Sequence, residues 1–236
     1  MNQCLRVIFK RILFHSNVVR FNTSSYLYPL KNILSCYAST NAPEAMRKKS
    51  LANKLAEKFS FFSVSKSRLK ANGYLLFETI VDQLNYDEMF KTLNLPDTFY
   101  SWFVVTELHM WMLMVRYMAE GEDGRVVRNH ITQALWVDVD QRVKKLNPSG
   151  LVGIKPQITD LSDQLNAALI AYDEGLQSSD VILASALWRR VYQQKNVDPE
   201  HLDILVKYIR RQMKILDSLT HLELFRNVAI RWEPIK

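Results

Sequence analysis

Apolar residues along this chain recur mostly at helical spacing, and one stretch is apolar on nearly every side. From Trp102 to Met118, thirteen of seventeen residues are apolar, the exceptions being Thr106, Glu107, His109 and Arg116. At about 100° per residue, Thr106, His109 and Arg116 gather on one narrow face, which Glu120 joins a turn later, whereas Glu107 falls on the apolar side. Such a helix belongs inside a core. A membrane span is the rival reading, but a span needs about 20 apolar residues. A charge near mid-span also costs about 2.5–3.5 kcal/mol on insertion scales, and both Glu107 and Arg116 interrupt a run that is already short.

The same spacing predicts helices through the rest of the chain from Gly73 onward. Tyr74, Phe77, Ile80-Val81 and Leu84 mark the first, and Thr98 to Met118 forms the apolar one. Gly121-Glu122-Asp123-Gly124 is expected to be a turn, followed by a helix from Arg125 to Leu146, which Asn147-Pro148-Ser149-Gly150 breaks. After Pro156, Ile158, Leu161, Leu165, Ala168-Leu169 and Tyr172 form another stripe, and Gly175 is expected to stop it. Asp180 opens the next helix, carrying Leu183-Ala184, Leu187-Trp188 and Val191. Asp198-Pro199-Glu200 is a start signal, an N-cap acid with proline in the first turn, and Leu202 to Leu216 continue it. The tail from Val228 to Pro234 is too short to classify. No run alternates as a strand does, so the fold class is all-α, a single helical domain of about six to seven helices.

Charge changes the picture at the N-terminal side only. The net charge is +7, and residues 1–50 account for all of it, with eight basic side chains against Glu44 alone. From Gly73 onward there are 18 basic and 22 acidic residues, so the helical body is slightly acidic and gives no reason to expect DNA. Residues 1–43 contain no Asp or Glu, scatter Arg and Lys among Ser and Thr, and begin amphipathically at Leu5-Arg6-Val7-Ile8. That composition predicts a mitochondrial transit peptide; Lys10-Arg11 interrupts the only candidate for a secretory apolar core. Residues 44–72 form a basic amphipathic segment or linker, with Leu51, Leu55, Phe59 and Phe62 at helical spacing. Such a segment suits either packing on the body or contact with anionic lipid or RNA. Both cysteines, Cys4 and Cys36, lie in the first segment, which leaves the body without thiol chemistry or zinc-binding clusters.

Catalytic motifs are missing. The six glycines are scattered singly and form no phosphate loop, and no serine sits in a nucleophile-elbow context. The five histidines are far apart, and Glu107 and His109, two residues apart, splay on a helix. No catalytic residue, metal or cofactor is expected. Asp138 and Arg142 are spaced as a helical ion pair. Asp173 and Glu174 at a helix C-terminus oppose the macrodipole and call for a compensating cation. Lys207, Arg210, Arg211 and Lys214 share one helix face, which suits a solvated back or, functionally, a ribosome or lipid contact. Trp102, Trp111, Trp136 and Trp188 suit a core better than a stacking platform. Met110, Met112, Met114 and Met118 also suit a core, with some available to line an adaptable groove.

Ordered motifs over residues 95–234 carry a resemblance. They are Leu95-Pro96-Asp97-Thr98-Phe99 with Ser101-Trp102-Phe103, then Thr106-Glu107-Leu108-His109 with Trp111 and Arg116. Next come Trp136-x-Asp138-Val139-x-x-Arg142, Tyr172-Asp173-Glu174-Gly175-Leu176 and Ala186-Leu187-Trp188-Arg189. Asp198-Pro199-x-His201-Leu202 and Trp232-x-Pro234 complete the set. Together they resemble the ubiquinol–cytochrome c reductase chaperone family. The departures fall in segments between motifs, such as Asn147 to Lys155.

The resemblance implies a non-enzymatic assembly factor for respiratory complex III. Such a protein works as a heterodimer with a small assembly-factor partner protein and binds nascent cytochrome b. It associates with the mitochondrial ribosome and lies peripherally on the matrix side of the inner membrane. The polar motif residues are expected to be structural or partner-binding fasteners: Glu107 with Arg116 or Arg189, Asp138 with Arg142, and Asp173 or Glu174 with another arginine. An RNA- or ribosome-binding regulator of mitochondrial translation is the alternative function, acting through residues 47–70 and the Lys207–Lys214 face. A helical enzyme is disfavoured by the missing motifs.

Overall fold

The structure, a computed structural model, describes residues 64–146, 154–227 and 230–236. The expected transit peptide, most of the basic segment and the Asn147–Gly150 break lie outside these residues. Among the described residues there are seven α-helices, one π-helical turn and no strand. The helices are α1 (Lys66–Gln83), α2 (Tyr86–Thr92), α3 (Phe99–Met118), α4 (Gly121–Leu146), α5 (Ile154–Leu176), α6 (Asp180–Val191) and α7 (Pro199–Ser218). The π-helical turn spans Glu223–Asn227. The all-α reading holds, and none of the described helices is long and apolar enough to cross a membrane.

Local chemistry sets the helix starts. Thr98 accepts from the N–H of Ser101 at the head of α3, and Asp198 accepts from that of Glu200 before Pro199 at the head of α7. The short helix α2 has no counterpart in the apolar spacing, yet its start is encoded. Asn85 accepts from the N–H of Glu88 at 3.1 Å and donates to the Glu88 carboxylate at 3.2 Å, a reciprocal cap.

The apolar helix α3 lies at the centre. It packs against α1, α2, α4, α6 and α7, and α1–α4 and α5–α6 form the two other extensive helix pairs. Every residue of α3 from Ser101 to Met114 is buried. Trp102, Trp111 and Trp136 are core residues, as are Met110, Met112 and Met114, whereas Trp188 and Met118 are half-buried.

Glycine placement corrects three boundaries. Helix α1 begins at Lys66 and runs through Gly73, where a Cβ would meet the His130 Cβ of α4 at 2.5 Å. The glycine lets two helices touch rather than marking the start of a helix. The expected Gly121–Gly124 turn is the first turn of α4. Gly121 alone takes a left-handed conformation (φ +57°), and Gly124 lies against the Tyr117 carbonyl. Gly175 does not stop α5. It lies inside the last turn, where a Cβ would sit 2.7 Å from the Leu183 Cα of α6.

Because that contact is backbone to backbone, α6 cannot relax by turning a side chain. Gly175→Ala is expected to lower the unfolding free energy by about 1–3 kcal/mol, the usual cost of overpacking, read from the midpoint of a urea transition followed by circular dichroism.

Candidate functional site

A helix buried on all sides cannot leave its polar groups to water, so each must be satisfied by a neighbouring element. Thr106, Glu107, His109, Trp111 and Arg116 do this in different directions, and their partners define the site.

Glu107 is wholly buried. Its carboxylate meets Arg190 of α6, with Nη2 2.5 Å from Oε2 and Nε 2.9 Å from Oε1. Arg190 Nη1 also donates to Gln164 of α5 at 2.6 Å, and Tyr172 O–H lies 3.4 Å from Glu107 Oε1. Tyr100 donates to the Arg190 carbonyl at 2.5 Å, so the backbone of α6 is held as well as the guanidinium. Burial raises the pKa of the Glu107 carboxyl, and the guanidinium opposes that shift. The partner is therefore Arg190, not the expected Arg116 or Arg189. The register of α6 explains the correction: Leu183, Ala186, Leu187 and Arg190 turn inward, while Arg189 faces solvent. Arg116 lies nine residues along α3, about 13 Å away by helical rise.

One turn further, Trp111 Nε1 donates to Asp173 Oδ1 at 2.8 Å, and the Tyr172 ring packs on the indole at 5.2 Å. Glu174 is exposed. Arg210 caps the carbonyls at the C-terminus of α5 and reaches the head of α6. Its Nη1 donates to the Leu176 carbonyl at 2.7 Å, its Nη2 to that of Ser178 at 3.2 Å, and its Nε to Asp180 at 3.0 Å.

On the opposite face His109 is fully buried. Its Nδ1 lies 2.7 Å from the Val105 carbonyl and its Nε2 2.7 Å from the Tyr208 hydroxyl. A carbonyl can only accept, so Nδ1 carries the proton and Tyr208 donates to Nε2. Burial pushes the imidazole down to about 4, against a weaker upward pull from the Val105 carbonyl. The Trp232 ring meets His109 edge-on at 4.8 Å. Thr106 bonds the Tyr86 hydroxyl at 2.9 Å and ties in α2. Arg116 ends the series. It donates to the carbonyls of Leu216 and Leu219, both at 2.9 Å, and pairs with Glu120 at 2.7 Å. Partial burial pushes the Glu120 pKa up, but His221 and Arg116 together hold it below the usual value.

The Asp138–Arg142 pair forms as expected at 2.9 Å, with the guanidinium 4.0 Å over the Trp102 ring. Trp136 packs against Phe103, and Trp188 donates to the Lys195 carbonyl at 2.8 Å. The basic face of α7 divides. Arg210 caps α5, Arg211 donates to the Pro234 and Ile235 carbonyls, and Lys207 pairs with Asp203 at 2.6 Å; Lys214 is exposed. Among the described residues no cluster of His, Cys, Asp or Glu could hold a metal ion.

The polar residues of α3 thus fasten it to α2, α5, α6 and α7, while Asp138 and Arg142 pair within α4 and Glu174 and Arg189 face solvent. A model of the ubiquinol-cytochrome C chaperone family matches residues 91–232, a span that contains α3 and its partners on α5, α6 and α7, with Tyr86 of α2 outside it. The chain belongs to that family. Ubiquinol-cytochrome c reductase complex assembly factor 1 of Drosophila melanogaster is 45% identical over 186 residues, covering 77% of this chain and 72% of the fly protein. Protein CBP3, mitochondrial, of Saccharomyces cerevisiae is 36% identical over 139 residues, 57% of this chain and 41% of the yeast protein. The crystal structure of the Cbp3 homolog from Brucella abortus shares the fold, with a TM-score of 0.59 over 77% of this chain and 97% of that one at 19% identity.

In this chaperone-family chain, sequence reasoning missed Arg190, Gln164, Tyr208 and Gln212. Two of them left a trace: Arg190 follows Leu183, Ala186 and Leu187 at core spacing, and Gln212 interrupts the stripe Leu205, Ile209, Leu216. A polar residue at a core position is a side chain with a buried partner.

Removing one member of a buried pair strands the other. Arg190→Ala is expected to cost about 3–5 kcal/mol in urea unfolding, and Arg189→Ala less than about 0.5 kcal/mol, as an exposed site should. His109 gives a pH signature. Its pKa is depressed in the folded chain, so its stabilisation is complete above about 6.5 and is lost as pH falls toward 4. The shift to about 4 corresponds to about 3 kcal/mol. His109→Gln should flatten the stability profile between pH 6.5 and 4 relative to wild type; parallel profiles would refute the assignment.

Proposed function

We propose that this chain is a non-enzymatic chaperone for the assembly of respiratory complex III in mitochondria. The family match across residues 91–232 carries the proposal. It holds newly synthesised cytochrome b as a heterodimer with a small assembly-factor partner protein. It does so at the mitochondrial ribosome, peripherally on the matrix side of the inner membrane. Residues 1–43 are the transit peptide, residues 44–72 the basic amphipathic segment or linker, and residues 73–236 the chaperone domain. The commitment of Glu107, His109, Trp111 and Asp173 to partners inside the fold supports a structural role for these residues. Lys207 and Lys214 remain exposed and are the cations of α7 best placed to meet a ribosome or lipid headgroups. Each client side chain that a chaperone shields is worth about 1.5–3 kcal/mol of apolar burial, which makes unshielded client prone to aggregate.

Depleting the chain should remove assembled complex III while leaving cytochrome b messenger intact. A photoreactive group on the chain should crosslink to newly made cytochrome b during a translation pulse. Complex III at normal level after depletion, or no adduct with cytochrome b from a fully folded chain, would overturn the proposal.

A further inference from the structure

Residues 230–236 have no regular secondary structure and lie along α7 as a strap. The wholly buried Gln212 grips the strap with both ends of its amide. Nε2 donates to the Arg231 carbonyl at 3.0 Å, and Oε1 accepts from the Glu233 N–H at 3.1 Å. A carbonyl and the N–H two residues on point to the same side in extended backbone, so Gln212 bonds the strap as an amide in a neighbouring strand would. Arg211 Nη2 donates to the Pro234 carbonyl at 3.0 Å and to that of Ile235 at 3.4 Å. All four bonds end on main-chain atoms.

The side chains add shape. Ile230 and Ile235 are buried, and between them Trp232 lies edge-on to His109, which is locked by Tyr208. Trp232 Nε1 is buried with no acceptor, so the seat is built for a ring and not for an indole N–H. A seat that bonds backbone and accepts apolar bulk at three points places little demand on sequence.

We propose that this seat on α3 and α7 is a binding groove for an extended apolar peptide, occupied in cis by residues 230–236. An extended client segment with apolar side chains five residues apart and a ring between them takes the groove when the strap lifts. The identity of the occupant as client rests on the chaperone function proposed above; the groove itself does not. The strap then acts as a pseudo-ligand that covers the groove until client is present.

The test uses the purified full chain and a fluorescein-labelled peptide, Ile-Arg-Trp-Glu-Pro-Ile-Lys, followed by anisotropy. Ile235→Asp loosens the strap and should raise peptide affinity at least tenfold over wild type. Adding Gln212→Ala to the same chain damages the groove and should return affinity to the wild-type value or below. A peptide with Phe in place of Trp should bind within threefold. A folded Ile235→Asp chain with unchanged affinity would overturn the proposal. Hydrogen exchange on the wild-type chain guards against misfolded variants. The Glu233 amide should exchange at least a hundredfold faster than amides in the middle of α7, and equal protection would mean that the strap never lifts. Because the probe is the chain's own peptide, a failure here leaves the cytochrome b assignment to its crosslink. A missing crosslink likewise leaves the groove standing.

Discussion

Burying a helix on every side forces its polar groups to find partners inside the protein, and this constraint organises the structure. Helix α3 carries a carboxylate, a hydroxyl, an imidazole, an indole and a guanidinium over eleven residues from Thr106 to Arg116. Between them they reach four elements: Thr106 reaches α2, Glu107 α6, Trp111 α5, and His109 and Arg116 the middle and the end of α7. The apolar majority of α3 supplies the driving force for burial but little direction, since one apolar face packs much like another. The polar minority supplies direction, because a buried carboxylate without its guanidinium is far less stable than one with it. The set of partners therefore fixes which helix sits where.

The same principle explains why the basic face of α7 looks more available in sequence than it is. Arg210 sits where the C-terminus of α5 exposes the carbonyls of Leu176 and Ser178, and the negative end of the helix dipole favours a cation there. Arg211 is drawn to the carbonyls of a strap that makes no ladder of its own. Unpaired carbonyls at helix ends and along irregular backbone compete for guanidinium groups before any external partner does. Lysine, with a compact and strongly hydrated ammonium, is less suited to bridging several carbonyls, and Lys207 and Lys214 stay at the surface.

The fold was legible because period and caps agree at Thr98 and Asp198. Glycine misleads as punctuation here. Gly73 and Gly175 sit within helices at close approaches to other helices, which leave no local mark, and Gly124 lies in the first turn of α4 against the Tyr117 carbonyl. The Asp138–Arg142 pair follows from spacing alone. The partner of Glu107 does not, because choosing Arg190 over Arg189 depends on which face of α6 turns inward, a difference of one residue and about 100°. The strap was unreadable for another reason. Its order depends on Gln212 and Arg211, which bond its backbone, as well as on its own Ile230, Trp232 and Ile235.

A holding protein for an apolar client faces opposed demands. Its own fold must be singular, yet its contacts with client must tolerate many sequences and let go. On the function proposed for this chain, the two demands fall on different kinds of interaction. Side chain meets side chain in fixed pairs along α3, where identity matters and Arg190 cannot be exchanged for a neighbour. Along α7, by contrast, side chains meet backbone, which every segment presents alike. His109 stands where these regimes join, with its imidazole tied into the core through Val105 and Tyr208 and its face turned to Trp232. Rigidity behind that ring lets the surface in front of it stay permissive: a groove floor that does not shift can accept varied occupants without transmitting the change into the core.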